Sequence, residues 1–336
     1  MCCGCLFCSF VIPINDASNE KEHWSIDSRR ELSRVDVHSG RLRFFRVYPL
    51  FALVSTVLWI LPDDAKQRYY LIDQPENFDL YKVLTFDQRY FVLWTLPLEI
   101  GYYFFIPFFV LVVLKLHNFW WVPFVPAYIW VGREGWNEFR CDHMPLSPHF
   151  PTFLAGSMAA VIFVKLEAWI NVNGYKVKGC CLFGVRIVEF AALSLVLSLI
   201  FRGFLFSWVH ENIAPQTTGS SFISVLLTVV LVPEMLFPSP LSNTLEWNVL
   251  RYCGKVSFSI YLLHGFVIYA ESITSQQGYY DRMVSRFGLT LVLATVSYHL
   301  VEYPSQLMAQ YLSRQLTQLE ARASSRGSTG AVSSSP

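Results

Sequence analysis

The chain has 336 residues, 53% hydrophobic and 15% charged, with a formal net charge of +1 and a mean hydropathy of +0.37. Soluble domains carry about 25% charged residues, so a soluble domain on a single anchor is disfavoured against one membrane domain. Eight cysteines suggest no framework: Cys2, Cys3, Cys5 and Cys8 crowd the N-terminus, Cys180 and Cys181 are adjacent, and none pairs with histidines at zinc-ligand spacing.

The opening segment, MCCGCLFCSFVIPI, lacks a basic start and a small-residue cleavage site, so it is a poor secretory signal. Its cysteines read either as membrane-proximal palmitoylation sites or as the tail of a preceding helix. Residues 15–46 are polar and carry Arg29, Arg30, Arg34, Arg41, Arg43 and Arg46. A span needs about 20 apolar residues, and runs approaching that recur along the chain. The expectation is an all-α, polytopic transmembrane bundle of about eight spans, near 47–62, 90–115, 118–131, 150–171, 183–206, 221–237, 256–273 and 287–308.

Lysines and arginines in the loops orient the bundle. With the N-terminus inside, the inner loops hold the arginine cluster, Lys115, Lys176, Lys178, Arg251 and Lys255, while the acidic stretch 63–89 lies outside. Both termini are then cytosolic. The division expected is a polar, cysteine-containing segment 1–40, a transmembrane domain 41–310 and a disordered cytosolic tail 311–336, which is low in complexity. No internal repeat of the transporter kind is visible.

Ionisable side chains inside spans cost a few kcal/mol on insertion scales, so each is a functional candidate. Glu99 lies between Pro97 and Pro107, which can bend a helix and open a polar niche; the alternative is an interhelical hydrogen bond. His264 shares a helix face with Tyr261 and reads as a base or as a satisfied core histidine. Glu302 precedes Pro304 near a span end, where a carboxylate reaches water or pairs with His299. Lys165, Glu167, Arg186 and Glu189 read as structural, snorkelling near span ends. Arg43 and Arg46, three apart, read as phosphate ligands or as positive-inside anchors.

Five stretches taken together resemble the acyltransferase 3 family of membrane acyltransferases, over about residues 30–310. RLRFFRVYPLF resembles that family's RxxR segment, and LWTLPLEIGYYFFIPFFVLV its "LWSLsvEeqFYllwPlll" helix, aligning Glu99 with the motif glutamate. FPTFLAGSMAAVIF resembles "FllGallA", GKVSFSIYLLHGFVIY resembles "GkiSYsiYLlHwpv", and LVEYPSQ resembles "iErPf". The resemblance implies transfer of an acyl group, often acetyl, from cytosolic acyl-CoA to a hydroxyl of a glycan or small lipophilic molecule. On that basis Arg43 and Arg46 bind the coenzyme A phosphates, and Glu99, His264 and Glu302 form the catalytic set. The partners are acyl-CoA, the hydroxyl acceptor and the bilayer, with no metal and no nucleic acid.

One part of the pattern is absent. The family's opening helices carry an arginine followed about eleven residues, or three helical turns, later by a histidine, the favoured base. Residues 15–40 are polar instead, which implies a chain lacking that segment or a repurposed relative. The competing reading is a non-catalytic transporter or receptor-like protein that binds through Glu99 and His264.

Overall fold

The computed structural model describes residues 45, 47–116, 119–137, 146–174, 179–201, 203–212 and 221–330, and every described element is helical. Four helices are long and apolar enough to cross a bilayer by length and composition: Thr95–Leu116, Phe150–Asn173, Cys180–Ile200 and the run Tyr279–Gln315. Val47–Ile60, Ser221–Leu236 and Ser257–Ile268 are shorter apolar helices. Large side chains such as Phe104, Phe183, Phe190 and Leu300 lie exposed on helix surfaces. Water would penalise such faces; lipid does not.

The chain forms two compact units. In the unit that includes Phe104–Gly254, the Ser221–Leu236 helix packs against Phe124–Asn137, Phe150–Asn173 and Cys180–Ile200. Small residues make this close packing available: Ala155 and Ala159 are buried on Phe150–Asn173, and Ala192 on Cys180–Ile200. Gly174 in the left-handed region caps the Phe150–Asn173 helix, its N–H returning to the Ile170 carbonyl.

The segment expected as a third span at 118–131 is shifted, forming the 14-residue helix Phe124–Asn137. Pro123 precedes it and Pro126 falls in its first turn, where a missing N–H costs nothing.

The other unit joins the described residues up to Tyr103 with those from Lys255 onward. Its core gathers Leu50, Phe51, Val54 and Leu58 from the first helix, Tyr70 and Ile72, Val92, Leu93 and Leu96, and Leu262 and Leu263. The short helix Asp63–Tyr70 packs on Ser257–Ile268, which also packs on Tyr279–Ser297.

Near its end the Tyr279–Ser297 helix widens into one π turn, Tyr298–Glu302, closed by the Tyr303 N–H on the Tyr298 carbonyl. Pro304 supplies the reason: it has no N–H for the Leu300 carbonyl, and its ring crowds that carbonyl. Widening the preceding turn relieves both effects. The helix Tyr303–Gly330 then continues through most of the segment set aside as a tail, whose stretch 311–323 is rich in Leu, Gln, Arg and Ala, good helix formers.

Candidate functional site

Three sequence-derived candidates, Glu99, His264 and Glu302, fall in the unit that contains Lys255 onward. Arg43 and Arg46 lie outside the described residues.

Glu302 ends the π turn and is fully buried, not at an aqueous interface as its place near the span end suggested. Its Oε1 accepts a hydrogen bond from the Ser259 hydroxyl, which is also fully buried. Burying a carboxylate without donors is costly, and this bond offsets part of that cost. The expected His299–Glu302 pairing on one face gives way to a different arrangement. His299 is exposed and sets its ring against Tyr298 and Tyr303, because a π turn no longer aligns residues three apart.

His264 is half-buried on the Ser257–Ile268 helix. Its Nδ1 lies 2.5 Å from the Tyr261 carbonyl oxygen. A carbonyl only accepts, so Nδ1 donates to it and Nε2 is the ring nitrogen left to face a substrate. The edge-on ring of Phe91, 6.3 Å away, and the Tyr261 ring at 5.8 Å flank the imidazole. Five helical positions separate His264 from Ser259, placing them about 140° apart around the axis. The imidazole and the Ser259–Glu302 bond therefore occupy different sides of one helix.

That helix is fixed from outside by Tyr70. The fully buried Tyr70 hydroxyl donates to the Leu262 carbonyl at 2.5 Å, and its ring meets Phe266 at 5.0 Å. Burial pushes the Tyr70 phenol above its usual range, so it stays a donor. Gly265 permits the approach: a Cβ there would stand 2.7 Å from the Tyr69 carbonyl oxygen.

Glu99 is half-buried in the Thr95–Leu116 helix. Pro97 sits in the first turn of that helix and therefore removes no internal hydrogen bond, contrary to the sequence expectation. Pro107 does lie inside the helix, where its ring contributes no backbone N–H to the ladder.

The sequence reading missed a second polar cluster, in the other unit. Arg186 was expected to snorkel. Instead its Nη1 contacts Glu189 at 2.5 Å and Glu234 at 2.7 Å, while Nη2 donates to the Phe237 carbonyl. Both carboxylates are buried. Glu234 also accepts from the Ser239 hydroxyl at 2.6 Å and the Ser242 N–H at 3.1 Å, tying this cluster to the capping box of the Pro240–Leu245 helix. Only the charge of Glu234 within an apolar run could have signalled it.

A family model described as an acyltransferase domain, of the acyltransferase 3 type, matches residues 41–300. Among curated proteins, 88 residues are 34% identical to "Putative peptidoglycan O-acetyltransferase YrhL" of Bacillus subtilis (strain 168). That match covers 26% of this chain and only 14% of the bacterial protein. No solved structure matches. With a family match across well over half of its length, the chain belongs to the acyltransferase 3 family of membrane proteins.

Proposed function

We propose that the chain is a membrane-embedded O-acyltransferase, moving an acyl group, acetyl being the simplest, from acyl-CoA to a hydroxyl of a carbohydrate or small lipophilic acceptor. The family match carries this reading: it encloses Arg43, Arg46, Glu99 and His264 and ends just short of Glu302. The bacterial relative's name, an O-acetyltransferase acting on peptidoglycan, supports acetyl as the group and a glycan as the acceptor.

In this reaction the acceptor hydroxyl attacks the thioester carbonyl, its proton passes to a base, and the coenzyme A thiolate leaves. His264 is the base in this reading, because its Nδ1 is committed to the Tyr261 carbonyl and Nε2 carries the lone pair. Glu302, through Ser259, and Tyr70, through the Leu262 carbonyl, hold the helix that carries the imidazole. Glu99 supplies a carboxylate that orients the reacting groups, and Arg43 and Arg46 bind the donor's phosphates on the cytosolic side. The topology that goes with this reading is multi-pass, with both termini cytosolic, as the loop charges favour.

The test is release of free coenzyme A from acetyl-CoA by the purified protein in nanodiscs, with and without a hydroxyl acceptor. Acceptor-dependent release is expected, with Arg46→Ala raising KM for acetyl-CoA more than it lowers kcat. Release no faster than in empty nanodiscs, across several acyl donors, would overturn the reading.

A further inference from the structure

Between the helices Ser221–Leu236 and Ser257–Ile268 runs a segment of different character from either. Those two are apolar, whereas the eight-residue helix Asn248–Lys255 is sharply two-faced. At about 3.6 residues per turn, Tyr252, Val249, Cys253 and Leu250 fall within an arc of about 160°. Asn248, Arg251, Gly254 and Lys255 fill the remainder. A surface helix of that pattern turns its apolar stripe to a protein core. Here no residue of the helix is buried, and Val249 and Leu250 are 50% and 42% exposed. Leu245 and Trp247, just ahead of it, are exposed too.

The segment is nonetheless held in shape. The preceding helix, Pro240–Leu245, starts at the Ser239 capping box, which Glu234 fastens to the end of Ser221–Leu236 through the Ser239 hydroxyl and the Ser242 N–H. Backbone bonds then carry it into the next helix. The Glu246 N–H donates to the Ser242 carbonyl at 2.8 Å, the Trp247 N–H to Thr244 at 3.2 Å and the Arg251 N–H to Trp247 at 3.0 Å. Trp247 is therefore fixed one turn before Arg251, on the same side of the helix.

Three features decide what covers this surface. An eight-residue helix is about 12 Å long, and one face of it offers far less than the roughly 800 Å² per partner of a stable protein interface. Arg251 and Lys255 exclude burial in hydrocarbon, where charge is heavily penalised. Exposed aliphatic side chains beside a tryptophan and basic groups match the boundary between acyl chains and headgroups. One apolar helix leads into the segment and another leads out of it, the setting of a chain lying along a bilayer surface.

The charges narrow the lipid. Arg251 is exposed and joins no ion pair among the described residues, while the Lys255 ammonium lies 5.3 Å from the Tyr298 ring. The carboxylate of Glu246 is the one acidic group in the segment. A guanidinium fork suits phosphate and carboxylate oxygens, both of which a serine headgroup presents. The cytosolic side that loop charge favours for this segment is also where anionic lipids concentrate.

We propose that Pro240–Lys255 is an interfacial segment that docks on anionic phospholipid: Val249 and Leu250 enter the acyl boundary, Trp247 lies at headgroup depth and Arg251 binds the headgroup. The assignment is independent of the acyl-transfer reading.

The chain in phosphatidylcholine nanodiscs tests it through Trp247 fluorescence, taken as the difference between otherwise identical proteins with and without Trp247→Phe, one tryptophan of 10. Lipids brominated on their acyl chains quench a tryptophan that they touch. Brominated phosphatidylserine should half-quench Trp247 at a lower mole fraction than brominated phosphatidylcholine, and Arg251→Gln should raise that fraction about fivefold. Both substitutions change exposed side chains, and retained helicity by circular dichroism verifies the fold. Equal quenching by the two lipids, or an unchanged half-quenching fraction in Arg251→Gln, would overturn the headgroup assignment. Quenching by aqueous iodide and by neither lipid would place Trp247 in water. Protection from iodide and from both lipids would place a protein partner or a second copy over it. Either of these last two results overturns the interfacial assignment.

Discussion

Ser259 donates its hydroxyl to Glu302 across two helices, and both side chains are fully buried. The carboxylate sits where the helix widens ahead of Pro304. Ser259→Ala removes this donor while leaving the acceptor in the core, at a cost of about 1–3 kcal/mol. Glu302→Gln keeps the shape and an acceptor oxygen and should cost less. A double-mutant cycle on detergent unfolding should give a coupling of about 0.5–3 kcal/mol; additive effects would mean that the bond carries no stability.

The close seat of Tyr69 on Gly265 makes a sharper prediction about shape. Gly265→Ala places a methyl against a backbone carbonyl that cannot swing away, and should destabilise by about 1–3 kcal/mol. Gly156→Ala is the control, because a Cβ there would meet nothing within 4 Å in a helix of similar character. It should leave the thermal midpoint unchanged or raise it slightly, as alanine is the better helix former.

Removing Arg186 strands two carboxylates. Arg186→Met should cost about 3–5 kcal/mol, because buried charge is left without its partner. The triple change Arg186→Met, Glu189→Gln, Glu234→Gln should recover most of that loss in a thermal-unfolding series. No recovery would show that packing of the arginine stem matters more than its charge.

Much of the architecture was legible in the sequence because apolar runs have few alternatives in a bilayer. Long stretches such as Thr95–Leu116 and Phe150–Asn173 were found within a few residues. The misplaced features have local causes. Pro123 and Pro126 moved the start of one helix, and Pro304 created the π turn that drew Glu302 inward. Pairings across long separations left no periodic trace: Arg186 with Glu234 is 48 residues apart, and Ser259 with Glu302 is 43. His264 and Glu99 were visible as polar residues in apolar runs, yet that His264 donates through Nδ1 required the distance to the Tyr261 carbonyl. The order of the loop around Asn77 and Asp79 left no sequence signal either, because it comes from Gln88, an ordinary loop residue by composition, which accepts from the Asp79 N–H and donates to the Asn77 carbonyl.

Tyr70→Phe deletes one hydroxyl and preserves the ring. It should lower stability by about 1 kcal/mol through loss of the bond to the Leu262 carbonyl, with the Phe266 contact retained. In the acyl-transfer reading it should also lower kcat with little change in KM, since the helix bearing His264 loses a fixed point. An unchanged kcat would separate this tyrosine from positioning the imidazole.

The most direct measurement is the rate of acceptor-dependent coenzyme A release by the wild-type chain beside Glu99→Gln and His264→Asn, each verified as folded by its helicity. Asparagine keeps a donor near the Tyr261 carbonyl and removes the Nε2 lone pair, so His264→Asn should lower kcat by about 10²–10⁴-fold. Glu99→Gln should fall well below wild type too. Equal rates in all three proteins would contradict the assignment of these residues to catalysis.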